Sequence, residues 1–405
     1  MKIQNKKFFA VVSFAAAFGC VACGSGFSLY ETSARGVAMG GATMGLYHDA
    51  SAVYANPALI TDAEGNDFLM GLSLVNPGME IDLQTENGSR KFSPKDQWFP
   101  PPFIYYTQKL SDSLFLGMGL FTPYGLGILH SPDWPGRFSS VETKISTFNL
   151  NPNLAWKVND RLSLAVGLDA MYFDITLTRN IPTLDLLLHN EADAFGFGGN
   201  AALSYKITDD LGFGLVYRSE IVQKLKGEGY VNGLPGAYDI WEDFTLPQSI
   251  SAGLNYKGID RWNIGAIATW TGWSSYDNLT IHFDQPLLGR IGEFGADKDW
   301  GDSWRFGIGA EYKLSEFASI AFGYVYDQDP INLDMADYLI PAGDRNIFSI
   351  GMTTKLTDTW KAGITYARIA LRDKHLAARP ADGIYDTNFV DGKSNVISFD
   401  LSTSF

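Results

Sequence analysis

Apolar and polar positions alternate along most of this chain, and the alternation comes in blocks. The final block is the plainest. Ile397, Phe399, Leu401, Thr403 and Phe405 fall on one face, and Ser398, Asp400, Ser402 and Ser404 on the other. Successive strand side chains point to opposite faces, so a period of two reads as a strand with one greasy and one polar side. Leu211, Phe213, Leu215 and Tyr217 oppose Gly212, Gly214, Val216 and Arg218 in the same way. Trp304, Phe306, Ile308, Ala310 and Tyr312 oppose Arg305, Gly307, Gly309 and Glu311. Trp262, Ile264, Ala266, Ala268 and Trp270 put an aromatic at each end of an apolar stripe, a spacing that suits two interfacial girdles.

The pattern predicts fourteen strands, at 67–77, 98–109, 113–124, 141–157, 162–178, 195–206, 211–226, 244–257, 262–276, 302–314, 317–327, 345–356, 360–372 and 394–405. Their connections alternate without a slip. Short turns lie around Asp112, Asp160, Asp209, Gly258, Glu316 and Asp358. Long loops run over 78–97, 125–140, 179–194, 227–243, 277–301, 328–344 and 373–393. An even-stranded antiparallel sheet with every long loop at one end is the pattern of a bacterial outer-membrane barrel. Such a ring is one of two ways a chain crosses a bilayer without orphan backbone groups. The expected fold is therefore all-β: a 14-stranded antiparallel transmembrane β-barrel over residues 66–405. A large soluble β protein would alternate too, but it predicts neither the loop alternation nor the aromatic C-terminal Phe405.

The start of the chain supports export. Lys2, Lys6 and Lys7 precede an apolar run from Phe8 to about Val21, too short to span a bilayer. Cleavage after Gly24 would leave small residues, Ala22 and Gly24, at −3 and −1, so residues 1–24 read as a signal peptide. A lipoprotein reading at Cys20 or Cys23 is the alternative, although neither has Leu at −3. These are the only two cysteines, so cleavage after Gly24 leaves no thiol for disulfide, metal or catalysis. The expected location is the outer membrane.

Residues 25–65 do not alternate. They are rich in Gly, Ala and Ser, with a short helix expected near 47–55 that Asn56-Pro57 would end, since the residue before proline is pushed out of the helical region. A barrel of this size has a lumen wide enough to need filling. The segment is expected to be an N-terminal hatch lodged in it.

Without the leader the chain carries 28 basic against 45 acidic side chains, with much of the acid in loops, as at Asp82, Asp239, Glu242, Asp297 and Asp382. An acidic surface repels phosphate, so nucleic acid is not an expected partner. His48, His130, His189, His282 and His375 are scattered without metal-ligand spacing, and no serine–histidine pair shares a strand. No metal, no cofactor and no enzymatic activity are expected.

Particular residues carry a family resemblance. Gly26-Phe27, Ser33-Ala34-Arg35-Gly36, Asp49-Ala50-Ser51 and Asn56-Pro57-Ala58-Leu59-Ile60-Thr61 resemble the hatch of the FadL family of outer-membrane transporters of long-chain fatty acids and aromatic hydrocarbons. The similarity continues through Tyr217-Arg218-Ser219-Glu220, Leu246-Pro247, Trp270 to Trp273 and Asp327-Asp329-Pro330. His48 departs from it, standing where the family usually has a second acid. The resemblance implies a monomeric, plugged barrel, inserted by the barrel-insertion machinery among lipid and lipopolysaccharide. Hydrophobic ligand would be caught in an outer groove, pass to a lumen pocket and leave sideways through a gap made by a kinked third strand. Hatch and gating would rest on Arg35, Asp49, Asn56, Pro57 and Ala58. The gap falls at Pro123 and Gly125, where proline deletes a ladder hydrogen bond and glycine permits a bend. Pro123 ending the strand at the rim is the plain alternative.

Two loops carry unusually apolar residues: Leu126, Ile128, Trp134 and Phe138 in one, and Leu184, Leu187 and Leu188, which fit one helical face, in another. Exposed apolar patches of this kind cover each other or bind something, and together these two predict a greasy outer groove. A fatty acid also needs a carboxylate anchor, and guanidinium holds carboxylate in bidentate fashion. Arg218 and Arg305 face inward and Arg179 lies near the rim; pairing with lumen acids such as Glu220 or Glu311, or with the hatch, is the ordinary alternative. The expected function is passive passage of hydrophobic small molecules, long-chain fatty acids before monoaromatic hydrocarbons. A surface receptor or adhesion barrel is the rival of another class, and a general porin the rival within transport.

Overall fold

The computed structural model describes residues 26–85, 88–182, 184–341 and 343–405. The expected signal peptide, with Cys20 and Cys23, lies outside the described residues. All fourteen strands are present in one antiparallel sheet. The ring closes where the first strand, Asp67–Thr85, pairs with the last, Asp386–Ser404, from Asp67↔Ser404 to Gln84↔Asp386. Among the described residues no helix is long and apolar enough to cross a membrane.

The sheet is inside out relative to a soluble β protein. Phe399, Leu401, Trp304, Phe306 and Ile308 are exposed on the outer face, while Ser394, Ser398, Asn255 and Asn263 are buried on the inner one. Exposing so much contiguous apolar surface is tolerable only against lipid. The protein is an outer-membrane β-barrel, and its short turns mark the periplasmic end.

Several stretches read as long loops are largely strand. Leu162–Ile181 and Leu186–Lys206 pair up to Ile181↔Leu186, with the turn carried by Asp185 at φ 50°. Ile221–Val231 pairs with Tyr238–Leu246, and Asn278–Leu287 with Ile291–Asp297. Above the lipid band the outer face no longer has to be apolar, so strands continue there without the pattern that identified them below. The Leu184–Leu188 run is consequently not helical: Leu187 and Leu188 sit in a strand, on opposite faces.

The N-terminal segment is packed inside the ring. It contains a short α-helix, Ala34–Ala38, a second, Ala52–Ala55, and a 3-10 helix, Pro57–Asp62. The helix expected over 47–55 is thus reduced to its last turn, and Pro57 opens the 3-10 helix, where its missing N–H costs nothing. Its contacts reach strands on opposite sides of the barrel, which places it in the lumen.

Candidate functional site

The periplasmic half of the lumen is a docking surface built from hydrogen bonds. Ser33 caps the first helix through Oγ, which accepts from Gly36 N at 2.9 Å. Arg35 makes a two-pronged pair with Glu311, at 3.2 and 2.7 Å, and Ala34 N donates to Asp400 at 2.7 Å. Asn56, fully buried, ties three places together. Its amide donates to Met44 O at 2.9 Å and to Leu203 O of the wall at 3.1 Å, and its Oδ1 accepts from Ala58 N at 3.1 Å. Pro57 and Ala58 are buried beside it, while Asp49 turns inward to its own neighbour, accepting from Ser51 N at 2.9 Å. His48 faces Asn263 at 3.1 Å.

The inward glycines acquire a purpose here. A Cβ on Gly212 would lie 1.9 Å from Gly45 O, and one on Gly214 would lie 2.1 Å from Met44 O. The wall is stripped of side chains where the backbone of the segment rests on it. The sequence shows the glycine row but not the reason for it.

Toward the outside the lining becomes apolar. Phe27, fully buried, sits in a box of rings: Trp273 at 4.9 Å, Tyr124 at 5.8 Å, Tyr276 at 5.9 Å and Trp300 at 6.2 Å between centroids. These rings come from distant parts of the chain, so no local pattern announces the box. It belongs to a continuous cluster that also holds Leu126, Ile128, Met171, Leu177, Ile221 and Leu279.

Beside the box the third strand breaks. Its lower part, Leu114–Phe121, pairs with the second strand, Pro102–Lys109, only as far as Ile104↔Leu120. Its upper part, Gly125–Leu129, is tied to that side again where Lys95 N donates to Leu129 O at 2.7 Å. On the other flank Phe121 lies opposite Asn149 and Gly125 opposite Ser146. The third strand therefore places Thr122, Pro123 and Tyr124 against only two residues, a one-residue bulge. The bulged backbone turns into the lumen and pairs with the N-terminal segment. Leu29 N donates to Pro123 O at 2.8 Å, and Gly125 N to Phe27 O at 2.9 Å.

Two cavities flank the aromatic cluster. The inner one, about 160 Å³, lies against Tyr30, Tyr54, Phe121, Pro123 and Arg218. The outer one, about 560 Å³, is walled by Leu177, Leu279, Ile281, Phe294 and Leu339, with Arg179, Lys298 and Arg379 among its charged groups. Arg218 is engaged: it reaches Asp169 at 3.4 Å and Tyr54 O at 3.0 Å, and lies over the Tyr54 and Phe121 rings. Arg305 bonds Asp327 at 3.2 Å and Ser28 Oγ at 3.2 Å. In place of the acids named from sequence, Glu220 and Glu311, the carboxylate partners are Asp169 and Asp327, Glu311 being held by Arg35; the bonds to Tyr54 O and Ser28 are pairings with the N-terminal segment, the other alternative the sequence offers. Lys298 pairs with Asp337 at 2.5 Å and Arg379 with Asp382 at 3.0 Å. The Arg179 guanidinium lies 5.1 Å over the Phe294 ring, and its buried Nε has no hydrogen-bond partner among the described residues. Burial pushes the nearby Glu31 carboxyl of the N-terminal segment up, against the opposing pull of Arg345.

The residues expected to form one groove are distributed among several places. Leu126 and Ile128 are buried in the central cluster. Trp134 packs with Tyr338 in a second cluster, and Leu188 with Ile181 and Phe283 in a third. Phe138 lies under the Arg137 guanidinium, Leu187 is half-buried, and Leu184 is exposed. The structure does not bring these seven side chains together; mutual packing between loops has absorbed most of them.

Comparison with known proteins supplies relatives for this architecture. A family model described as "Outer membrane protein transport protein (OMPP1/FadL/TodX)" matches residues 15–405. The long-chain fatty acid transport protein of Escherichia coli O6:H1 is 26% identical over 378 residues, covering 81% of this chain and 83% of that protein. Outer membrane protein P1 of Haemophilus influenzae is 23% identical, with 93% and 92% covered. A Pseudomonas aeruginosa FadL homologue shares the fold at a TM-score of 0.82 and 21% identity, over 94% of this chain and 100% of that one. The Pseudomonas putida toluene transporter TodX does so at 0.74 and 18% identity, over 93% and 99%.

Proposed function

Because the chain belongs to the OMPP1/FadL/TodX family of outer membrane transport proteins, we propose that it carries long-chain fatty acids inward, without an energy source, through an apolar interior and out through the wall at its third strand. Transport of hydrophobic compounds is the common function of the family; the substrate and the route are the proposal.

Arg179 carries the choice of substrate. It makes no ion pair among the described residues and stands in a cavity with an apolar side, Leu177, Leu279, Ile281, Phe294 and Leu339, and a charged side that also holds Glu293, Asp297, Asp337 and Asp382. An anionic head and an apolar tail are the ligand such a pocket suits. Leu177 and Leu279 line this outer cavity and also belong to the aromatic cluster; Met171 and Ile221 belong to that cluster and line the inner cavity. A tail thus has continuous apolar surface from one cavity to the next. Phe27 occupies the middle of that path, so passage requires its displacement, and ligand binding to the ring box would drive it. Arg218 and Arg305, already paired, would steady the hatch and the inner cavity. From there the bulge at Pro123 and Gly125 supports exit into the lipid: the apolar substrate never has to cross the polar periplasmic half of the lumen.

The ring box favours a second reading, uptake of monoaromatic hydrocarbons, since offset and edge-on ring contacts suit a small arene. Uptake by transporter-deficient cells expressing the chain, with surface insertion verified, separates the readings. Labelled oleate should enter, and Arg179→Gln should reduce its uptake severalfold while leaving toluene uptake unchanged. Toluene entry without oleate entry would select the hydrocarbon reading. Surface binding of either compound with no entry would select a receptor. Deleting Pro123 restores equal residue counts opposite the fourth strand, Glu142–Lys157, and should abolish uptake if exit is lateral.

A further inference from the structure

Among the described residues, the break in the third strand leaves the second strand with an edge that no strand pairs beyond Ile104, and the sequence of that edge is Phe99-Pro100-Pro101-Pro102. In an antiparallel strand the backbone groups of alternate residues face opposite neighbours. Phe99 and Pro101 face the first strand: Phe99 N donates to Val75 O at 2.9 Å, Val75 N to Phe99 O at 2.8 Å, and Ser73 N to Pro101 O at 3.0 Å. Pro100 and Pro102 therefore face the break. Neither has an N–H to offer. The edge lies in the lipid band, since Pro102 is level with Leu72, which is exposed outward beside the exposed Phe399 of the last strand.

We propose that Pro100 and Pro102 are positioning residues that keep this window in the wall from sealing, a role that rests on the lateral-exit reading above. Two physical effects combine. An unpaired N–H in hydrocarbon costs several kcal/mol, and the prolines remove both donors that this edge would expose. The same absence denies a partner to the third strand. When ligand displaces Phe27 and Leu29, Pro123 O and Gly125 N lose their bonds to the N-terminal segment. A second strand with donors would then compete for Pro123 O and zip the wall shut in front of the departing molecule. A proline edge cannot, so unplugging and opening occur together. Proline on an exposed sheet edge is a general means of preventing new pairing; here the pairing prevented is with the protein's own neighbouring strand.

The test uses the full chain with Pro100→Val and Pro102→Val together, and Pro101→Val as the matched control. The double variant should insert and bind oleate, read by quenching of tryptophan fluorescence, with affinity within about twofold of the parent. Its uptake of labelled oleate and labelled toluene should fall at least fivefold. Pro101→Val, whose new N–H faces the first strand, should retain uptake within about twofold. Parental uptake by an inserted double variant overturns the proposal, as does equal loss of binding and uptake. If the double variant fails to insert, the single variants are read instead. Each should lose uptake by at least twofold, and two fully active singles overturn the proposal. Deletion of Pro123 separates this idea from its foundation. If that deletion transports normally, lateral exit and the proline edge fall together. If it is inactive and the double valine variant is active, only the proline edge falls.

Discussion

The two halves of the lumen hold the same N-terminal segment by opposite means. On the periplasmic side the hold is directional: Arg35 on Glu311, Asn56 on Leu203 O, and backbone laid on Gly212 and Gly214. On the outer side it is a ring, Phe27, pressed among other rings, with two backbone hydrogen bonds at the bulge. Hydrogen bonds and glycine-tight contacts lose much of their value when displaced by an ångström, whereas apolar packing accepts any apolar occupant of similar shape. On that difference rests the proposal that the periplasmic half stays in place while the outer half gives way to ligand.

That contrast can be broken at several points. The largest effect is expected at Arg35→Ala, which leaves Glu311 without its cation. Breaking a buried pair costs about 3 kcal/mol or more, seen as a lower urea midpoint and faster proteolysis within residues 26–65. An unchanged midpoint would mean that the periplasmic half is no anchor. Gly214→Val drives a side chain into Met44 O and should cost roughly 2 kcal/mol by the same readouts. Asn56→Ala strands two carbonyls and one N–H, for about 1–2 kcal/mol; the barrel should still insert, with uptake impaired. Normal uptake by that folded variant would remove the hatch from gating. Smallest in stability, and most informative about the outer half, is Phe27→Leu. It should cost about 1 kcal/mol, leave proteolysis within residues 26–65 unchanged, and tighten ligand binding by emptying part of the box. Loss of protection comparable to that of Arg35→Ala would erase the distinction between the halves.

The same division explains what could be read from the chain alone. Strand count and order were legible because lipid imposes an apolar residue at every second position, as in Phe399 and Leu401, and because the turns alternate in length. Residues 25–65 stood out by lacking that period. Above the lipid band the constraint disappears, which is why Leu186–Lys206 began where a loop was expected and why a leucine run resembled a helix. The site was less legible. Arg218 and Arg305 were identifiable as inward residues, but their partners Asp169 and Asp327 lie on other strands. The box around Phe27 draws on Tyr124, Tyr276 and Trp300, remote in sequence and unmarked by any period. Pro100 and Pro102 draw notice only once the neighbouring strand is known to break.

The seam between Asp67–Thr85 and Asp386–Ser404 is what makes the sheet a ring. It joins the first strand to the last, the widest separation in sequence that any pairing in the ring must bridge. Without that pairing the sheet has two raw edges, and the segment before the first strand has only part of its enclosure. Arg35 pairs with Glu311, and Ala34 N with Asp400 of the closing strand. A ring that has not closed therefore cannot fully house the segment inside it.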